Sequence, residues 1–217
     1  MKRSLARAFA VLTLALPSVA SAQLATFDDN PTASAGYNCT NDGDGTAIRS
    51  GYAGFDWSNF FVAGGNAAAT ATGGVGYRNG IVTAPCVALN GFGARAALSS
   101  GTDFIFNGGF FTAAFSNALS VRIRAFNASN AEVFTTLLNL NTSGPQLLNV
   151  VWGGVRRVTF DAGDNEPGSQ FVFDNFRFNN TADPNVPGIV PEPSTYALMA
   201  TGLIGLITVA RRRNTTA

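Results

Sequence analysis

Two pairs of hard oxygen donors stand far apart in the chain: Asp28-Asp29 near its start and Asp174-Asn175 late. Calcium takes roughly six to eight oxygens from carboxylates, amides and carbonyls. If the segments carrying the two pairs lie side by side as strands, these four side chains meet and could hold a structural calcium. Asn41-Asp42-Gly43-Asp44-Gly45 has the look of a calcium-loop fragment but lacks the spaced acid at the loop's end, so it reads as a turn. A second cluster, Tyr52, Asp56, Trp57 and Asn59, has the types a sugar site uses. An aromatic face stacks on a pyranose while neighbouring polar groups grip hydroxyls. A core role for Trp57 competes with that reading, and Trp152, at the end of an apolar run, reads as core. Catalysis has little to work with. The chain has no histidine, which removes Ser-His-Asp and Cys-His arrangements. A glycan hydrolase would need facing carboxylates. With Glu132 and Glu166 the only glutamates between residues 23 and 188, it would lean on aspartates such as Asp56 and Asp174. The chain is therefore read as a non-enzyme.

The elements that must position these groups are strands. Phe and Thr favour strands, and Gly and Asn punctuate them. Strand-like runs fall at 103–107, 119–126, 132–140, 146–152, 156–161 and 170–178. In 119–125, Leu119, Val121, Ile123 and Ala125 share one face and Ser120, Arg122 and Arg124 the other, the pattern of a half-buried strand. Turn chemistry separates the runs at 107–109, 127–130, 141–145 and 163–168. Residues 63–76 are small and Gly-rich, and read as a long surface loop or two weak strands. The expected fold is all-β, a two-sheet jelly-roll sandwich closed by pairing of its first and last strands. Cys39 and Cys86 are the only cysteines. In an exported chain such a pair reads as a disulfide, and two cysteines without histidine cannot complete a zinc shell.

Export is read from the ends. Lys2, Arg3 and Arg7 precede an apolar run and Ala20-Ser21-Ala22, which together make residues 1–22 a secretory signal peptide cut before Gln23. Residues 23–182 form one domain's worth of chain, and 183–193 a Pro-rich extended stalk. Residues 194–213 combine an uncharged apolar run with Arg211, Arg212 and Arg213, a single membrane-spanning helix with its arginines on the cytoplasmic side. The whole chain carries +1, yet residues 23–188 hold eight arginines and twelve acids. That acidic balance, with no basic cluster, argues against nucleic acid as a partner.

Val190-Pro191-Glu192-Pro193, the apolar run and the arginine cluster resemble the PEP-CTERM sorting signal of exported bacterial proteins. The resemblance implies a Gram-negative host that makes an exopolysaccharide. It also implies processing by an exosortase near Pro191, Glu192 and Pro193, after transient anchoring in the inner membrane and before placement at the cell surface or in the extracellular matrix. The body is similar to the lectin-like β-sandwiches that accompany this signal, on Thr26-Phe27-Asp28-Asp29, the stretch from Gly51 to Phe60, and Phe171-Val172-Phe173-Asp174-Asn175-Phe176. That likeness implies the same calcium at Asp28, Asp29, Asp174 and Asn175. The expected function is a non-catalytic structural or adhesive role in the exopolysaccharide layer. The alternatives are a calcium-dependent carbohydrate-binding module and, last, a hydrolase with paired aspartates.

Overall fold

Alternation of apolar and polar residues sets the strands, and the computed structural model describes residues 23–163 and 167–180. The signal peptide, the stalk, the sorting motif and the apolar run lie outside the described residues. Among the described residues no helix is long and apolar enough to cross a membrane. All of them fall in one compact unit, Ser21–Ile189.

The described residues are mostly β. Their strands are β1 (Gln23–Ala25), β2 (Thr46–Ala47), β3 (Asp56–Ser58), β4 (Phe60–Gly64), β5 (Cys86–Asn90), β6 (Ala96–Ala113), β7 (Leu119–Phe126), β8 (Glu132–Leu140), β9 (Gln146–Asp161) and β10 (Phe171–Phe178). Hydrogen bonds join all ten in the order β2-β4-β5-β10-β6-β9-β7-β8, with β1 on β10 and β3 on β6. The first and last of these strands pair antiparallel, Gln23 opposite Phe178.

β6 and β9 are longer than the sequence suggests. Residues 103–107 are the interior of an 18-residue strand, and 146–152 and 156–161 are one 16-residue strand. Asn107-Gly108-Gly109, expected as a turn, stays inside β6. Gly108 adopts φ +87 there, and a Cβ on it would lie 2.2 Å from the Leu148 carbonyl oxygen. The glycines bend the strands rather than ending them, which is how bulges act, and the β6–β9 register shifts around Phe104, Phe106 and Gly108. The early part of β6 thus pairs with β3 and the late part of β9 with β7, while the late part of β6 lies between β10 and the early part of β9.

The two parts of the sheet face each other across an aromatic core. Phe160 of β9 meets Phe60 of β4 at 5.4 Å and Phe171 and Phe173 of β10 at 6.0 and 5.8 Å. Phe111 stacks on Phe173 at 4.6 Å. Trp152 is buried, stacked on Phe134 at 5.4 Å, as its place at the end of an apolar run suggested.

Most of the stretch 63–76 is helical rather than loop or weak strand. β4 runs directly into α1 (Gly65–Thr72), followed by α2 (Val75–Asn79). Alanines at 67, 68, 69 and 71 supply the strongest intrinsic helix preference, and Gly73 closes α1 in the left-handed region at φ +77. The two helices bury Ala68, Ala69 and Tyr77 in a second, smaller cluster with Val87, Leu89, Ala114 and Val172. Cys39 and Cys86 form the expected disulfide, with Cα atoms 5.8 Å apart. It ties the segment before β2 to the start of β5. On the chain-entropy account such a link contributes about 4 kcal/mol.

Candidate functional site

The two pairs of oxygen donors are drawn together only in part. Asp174 is fully buried in β10. Its Oδ2 accepts from the Val82 and Thr83 amides at 2.8 and 3.0 Å, and its Oδ1 from the Asn175 amide at 2.7 Å. Asn175 Oδ1 accepts from the Thr83 hydroxyl at 2.8 Å. Asp28 Oδ1 accepts from the Cys86 amide at 2.9 Å, so Asp28 and Asp174 grip the same loop before β5 from two sides. Asp29 turns elsewhere, to the Tyr52 hydroxyl at 2.7 Å. One buried oxygen of the set, Asp28 Oδ2, has no hydrogen-bond partner. Burial pushes Asp28 up, and burial pushes Asp174 up to about 6, with the Asp28 charge adding to it. Backbone amides occupy both Asp174 oxygens and one of the two Asp28 oxygens, so these carboxyls anchor the loop. Among the described residues no three Asp, Glu, His or Cys side chains gather as a metal site.

Of the cluster Tyr52, Asp56, Trp57 and Asn59, Tyr52 lies in the core and Trp57 packs against it. Tyr52 is buried, its hydroxyl bridging Asp29 and the Phe27 amide. The Trp57 ring is packed against Phe27, Tyr52, Phe55, Phe60 and Phe176, and its Nε1 donates to the Tyr52 carbonyl at 2.9 Å. Asp56 is exposed and accepts a hydrogen bond from Ser50, whereas Asp174 is fully buried. Asn59, at φ +54 between β3 and β4, donates through Nδ2 to the carbonyls of Gly91 and Arg95 at 3.1 and 3.2 Å.

Those bonds from Asn59 hold a tight turn, Gly91–Gly93, that carries the most exposed large apolar side chain of the described residues, Phe92 at 74 %. Phe92 sits at φ +55. The left-handed region costs a residue with a Cβ roughly 1–2 kcal/mol, and such strain persists only where the surroundings impose it. Beside it Gly91 is closely packed, since a Cβ there would lie 2.4 Å from the Phe61 ring. The turn is closed by the Ala94 amide donating to Gly91 at 2.9 Å and by Asn90 Nδ2 donating to Ala94 at 3.0 Å.

Below Phe92 runs a groove of three adjoining depressions that share Asp44. The first, about 400 Å³, is lined by Phe61, Phe92, Leu89 and Gln170. The second, about 350 Å³, adds Tyr77 and Phe115. The third, about 550 Å³, is of mixed character, with Thr40, Asn41, Asn66 and Thr70 beside Ala67 and Ala71. Asp44 projects from the 41–45 turn, which is built as the sequence suggested. Asp42 Oδ1 accepts from the Gly45 and Asp44 amides at 2.8 and 3.2 Å, and its Oδ2 from Tyr37 and Thr46 hydroxyls. Burial pushes Asp42 up, but these hydrogen bonds outweigh it and hold the carboxyl below its ordinary range. Asp44 itself is exposed, and its carboxylate accepts no hydrogen bond among the described residues. Gln170 is held by the Tyr77 hydroxyl at 3.0 Å. Sequence reasoning missed this groove. Its only trace there is an aromatic flanked by glycines, Gly91-Phe92-Gly93, a setting that exposes a ring rather than burying it in a strand.

Residues 190–213 match the family model described as the PEP-CTERM protein-sorting motif. The motif implies export, transient membrane anchoring and processing by an exosortase. No curated protein matches the chain. Among solved structures, the chain has a distant likeness to the enzymatically active domain of tailspike protein 4 from bacteriophage CBA120, at 10% identity and a TM-score of 0.30. The match covers 62% of this chain and only 21% of that one.

Proposed function

We propose that this is a non-catalytic protein of the bacterial cell surface or extracellular matrix, sorted by an exosortase, with a structural or adhesive role in the exopolysaccharide layer. The observation that carries the reading is the sorting motif at 190–213. A non-catalytic role is supported by the chain's chemistry. It has no histidine, its two cysteines are joined to each other, and Asp174 is sealed behind backbone donors. The jelly-roll reading of the fold is supported by the pairing of β1 with β10.

Fractionation of an exosortase-bearing Gram-negative host tests the sorting. With the exosortase present, the chain reaches the surface or medium in a shortened form. Without it, or with Pro191 and Pro193 replaced by alanine, the longer form stays in the inner membrane. Equal release in all three strains would overturn the proposal.

The calcium reading rests on one observation, the unpartnered Asp28 Oδ2. Melting in calcium and in chelator addresses it separately. A melting temperature raised by calcium and lowered by Asp28→Asn assigns a cation to that oxygen, and unchanged melting leaves the loop anchored by the carboxyls alone.

A further inference from the structure

We propose that the groove beneath Phe92 binds a neutral glycan chain, with the Phe92 ring as stacking platform and the Asp44 carboxylate as acceptor for sugar hydroxyls. Three independent features meet there. First, Phe92 is the most exposed of the large apolar side chains described, and it is held out in the left-handed region by a turn that Asn59 and Asn90 fasten from two sides. A strained, outward aromatic on a rigid turn points to use rather than to packing. Second, Asp44 lies where three depressions join, with its carboxylate open. Third, the lining changes along the groove, from rings at Phe61, Phe92 and Phe115 to hydroxyls and amides at Thr40, Asn41, Asn66 and Thr70.

The chemistry of that lining selects the ligand. A pyranose offers a C–H face to a ring and hydroxyls at its edge, which suits a site of aromatic faces with a few placed polar groups. The adjoining depressions suit a chain of several units. No arginine or lysine lines any of them, and the one charge present is negative, so a polyanionic glycan is disfavoured. A peptide adding as an extra strand has little to pair with, because the edge strand at this end of the sheet, β2, is two residues long.

Position also fits. Gln170, in the groove, immediately precedes β10, and the chain leaves the domain after the other end of that strand. Eight residues of strand put Gln170 roughly 25 Å from the last residue of β10. The proposal takes its extracellular setting from the surface role above, but the groove's binding does not depend on exosortase sorting.

The test is titration calorimetry of the full chain in lipid nanodiscs with neutral gluco-, manno- and galacto-oligosaccharides, the host's own secreted polymer, and an oligomer of hexuronate as the anionic probe. At least one neutral oligosaccharide binds saturably. Phe92→Ala weakens it about tenfold or more, Phe92→Tyr retains it, and Asp44→Asn weakens it to a smaller degree. Both exposed positions leave the melting temperature of Phe92→Ala and Asp44→Asn at or above that of the parent, so lost binding is not lost folding. Binding of the host polymer alongside the oligosaccharide identifies the cell's own matrix as a source, and binding of the oligosaccharide alone points to a foreign glycan. Absence of any neutral binding, binding unchanged in Phe92→Ala, or preference for hexuronate overturns the proposal. Fractionation with and without exosortase judges the sorting separately, so the two readings fail independently.

Discussion

Asp174 is where a single residue carries most. Its carboxyl is fully buried and holds three backbone amides, two of them in the loop that leads to the disulfide at Cys86. Asp174→Ala leaves those donors without an acceptor and lowers stability by roughly 2–4 kcal/mol in urea unfolding. The pH dependence has a definite sign. Burial raises this group from 3.8 to about 6, so the folded state binds its proton more tightly than the unfolded chain. Its stabilising contribution is full below the ordinary value and is lost as pH rises through about 6. Asp28, also raised by burial, acts in the same sense. Asp42 is held low by hydrogen bonds that outweigh burial, and Asp161 by Arg95, the Gly163 amide and Arg124. Both oppose the trend only in acid, below the ordinary carboxylate value. Unfolding free energy therefore falls between about pH 4 and pH 6, and Asp174→Asn flattens that fall. A free energy that rises over the same interval in the parent would refute the assignment. The sequence made Asp28 and Asp174 neighbours in expectation, because acids on the first and last strands must approach once those strands pair. It could not tell anchoring from metal binding, since that depends on which amides the loop turns towards them.

At the level of elements, local alternation was readable and long-range pairing was not. β7 and β8 occupy 119–126 and 132–140, the runs read from apolar spacing, because each is a simple half-buried hairpin strand. β6 and β9 were read as fragments because glycine and asparagine inside them carry turn chemistry, which the ladder with neighbouring strands overrides. The helices at 65–79 were missed for the converse reason. Alanine and glycine give no amphipathic stripe, and what fixes α1 and α2 is close backbone contact. Gly76 donates its amide to Ala114 at 3.0 Å, and a Cβ on it would lie 1.8 Å from the Ala113 carbonyl oxygen. Nothing flexible stands in the way that could move aside. Gly76→Ala thus lifts α2 off the end of β6 and destabilises the protein by about 2 kcal/mol or more. Gly101→Ala, in open space at an ordinary backbone angle, leaves the melting temperature unchanged. Equal melting of the two variants would show that α2 is not seated on β6.

For the whole molecule, the consequential contact is between its first and last strands. Gln23 lies opposite Phe178 and Ala25 opposite Phe176, so the segments entering and leaving the domain run side by side. Paired strands are about 5 Å apart, a gap that a few glycine and serine residues span without strain. The order of β1 and β10 in the chain is therefore not required by the fold, only their adjacency. A permutant that links Asn180 to Gln23 by such a linker, and opens between Ser129 and Asn130 in the exposed β7–β8 turn, keeps every strand pair. It loses turn bonds that cross the opening, from the Asn130 amide to the Asn127 carbonyl and from the Ala131 amide to Asn127 Oδ1, worth about 1–2 kcal/mol together. It should fold with its Cys39–Cys86 disulfide formed and melt within several degrees of the same segment in natural order. A longer, looser linker should melt lower, since the loop it closes is more costly in entropy. If the permutant fails to fold while the unlinked segment folds, β1 is not the neighbour of β10. The closure of the domain by its first and last strands would then have to be redrawn.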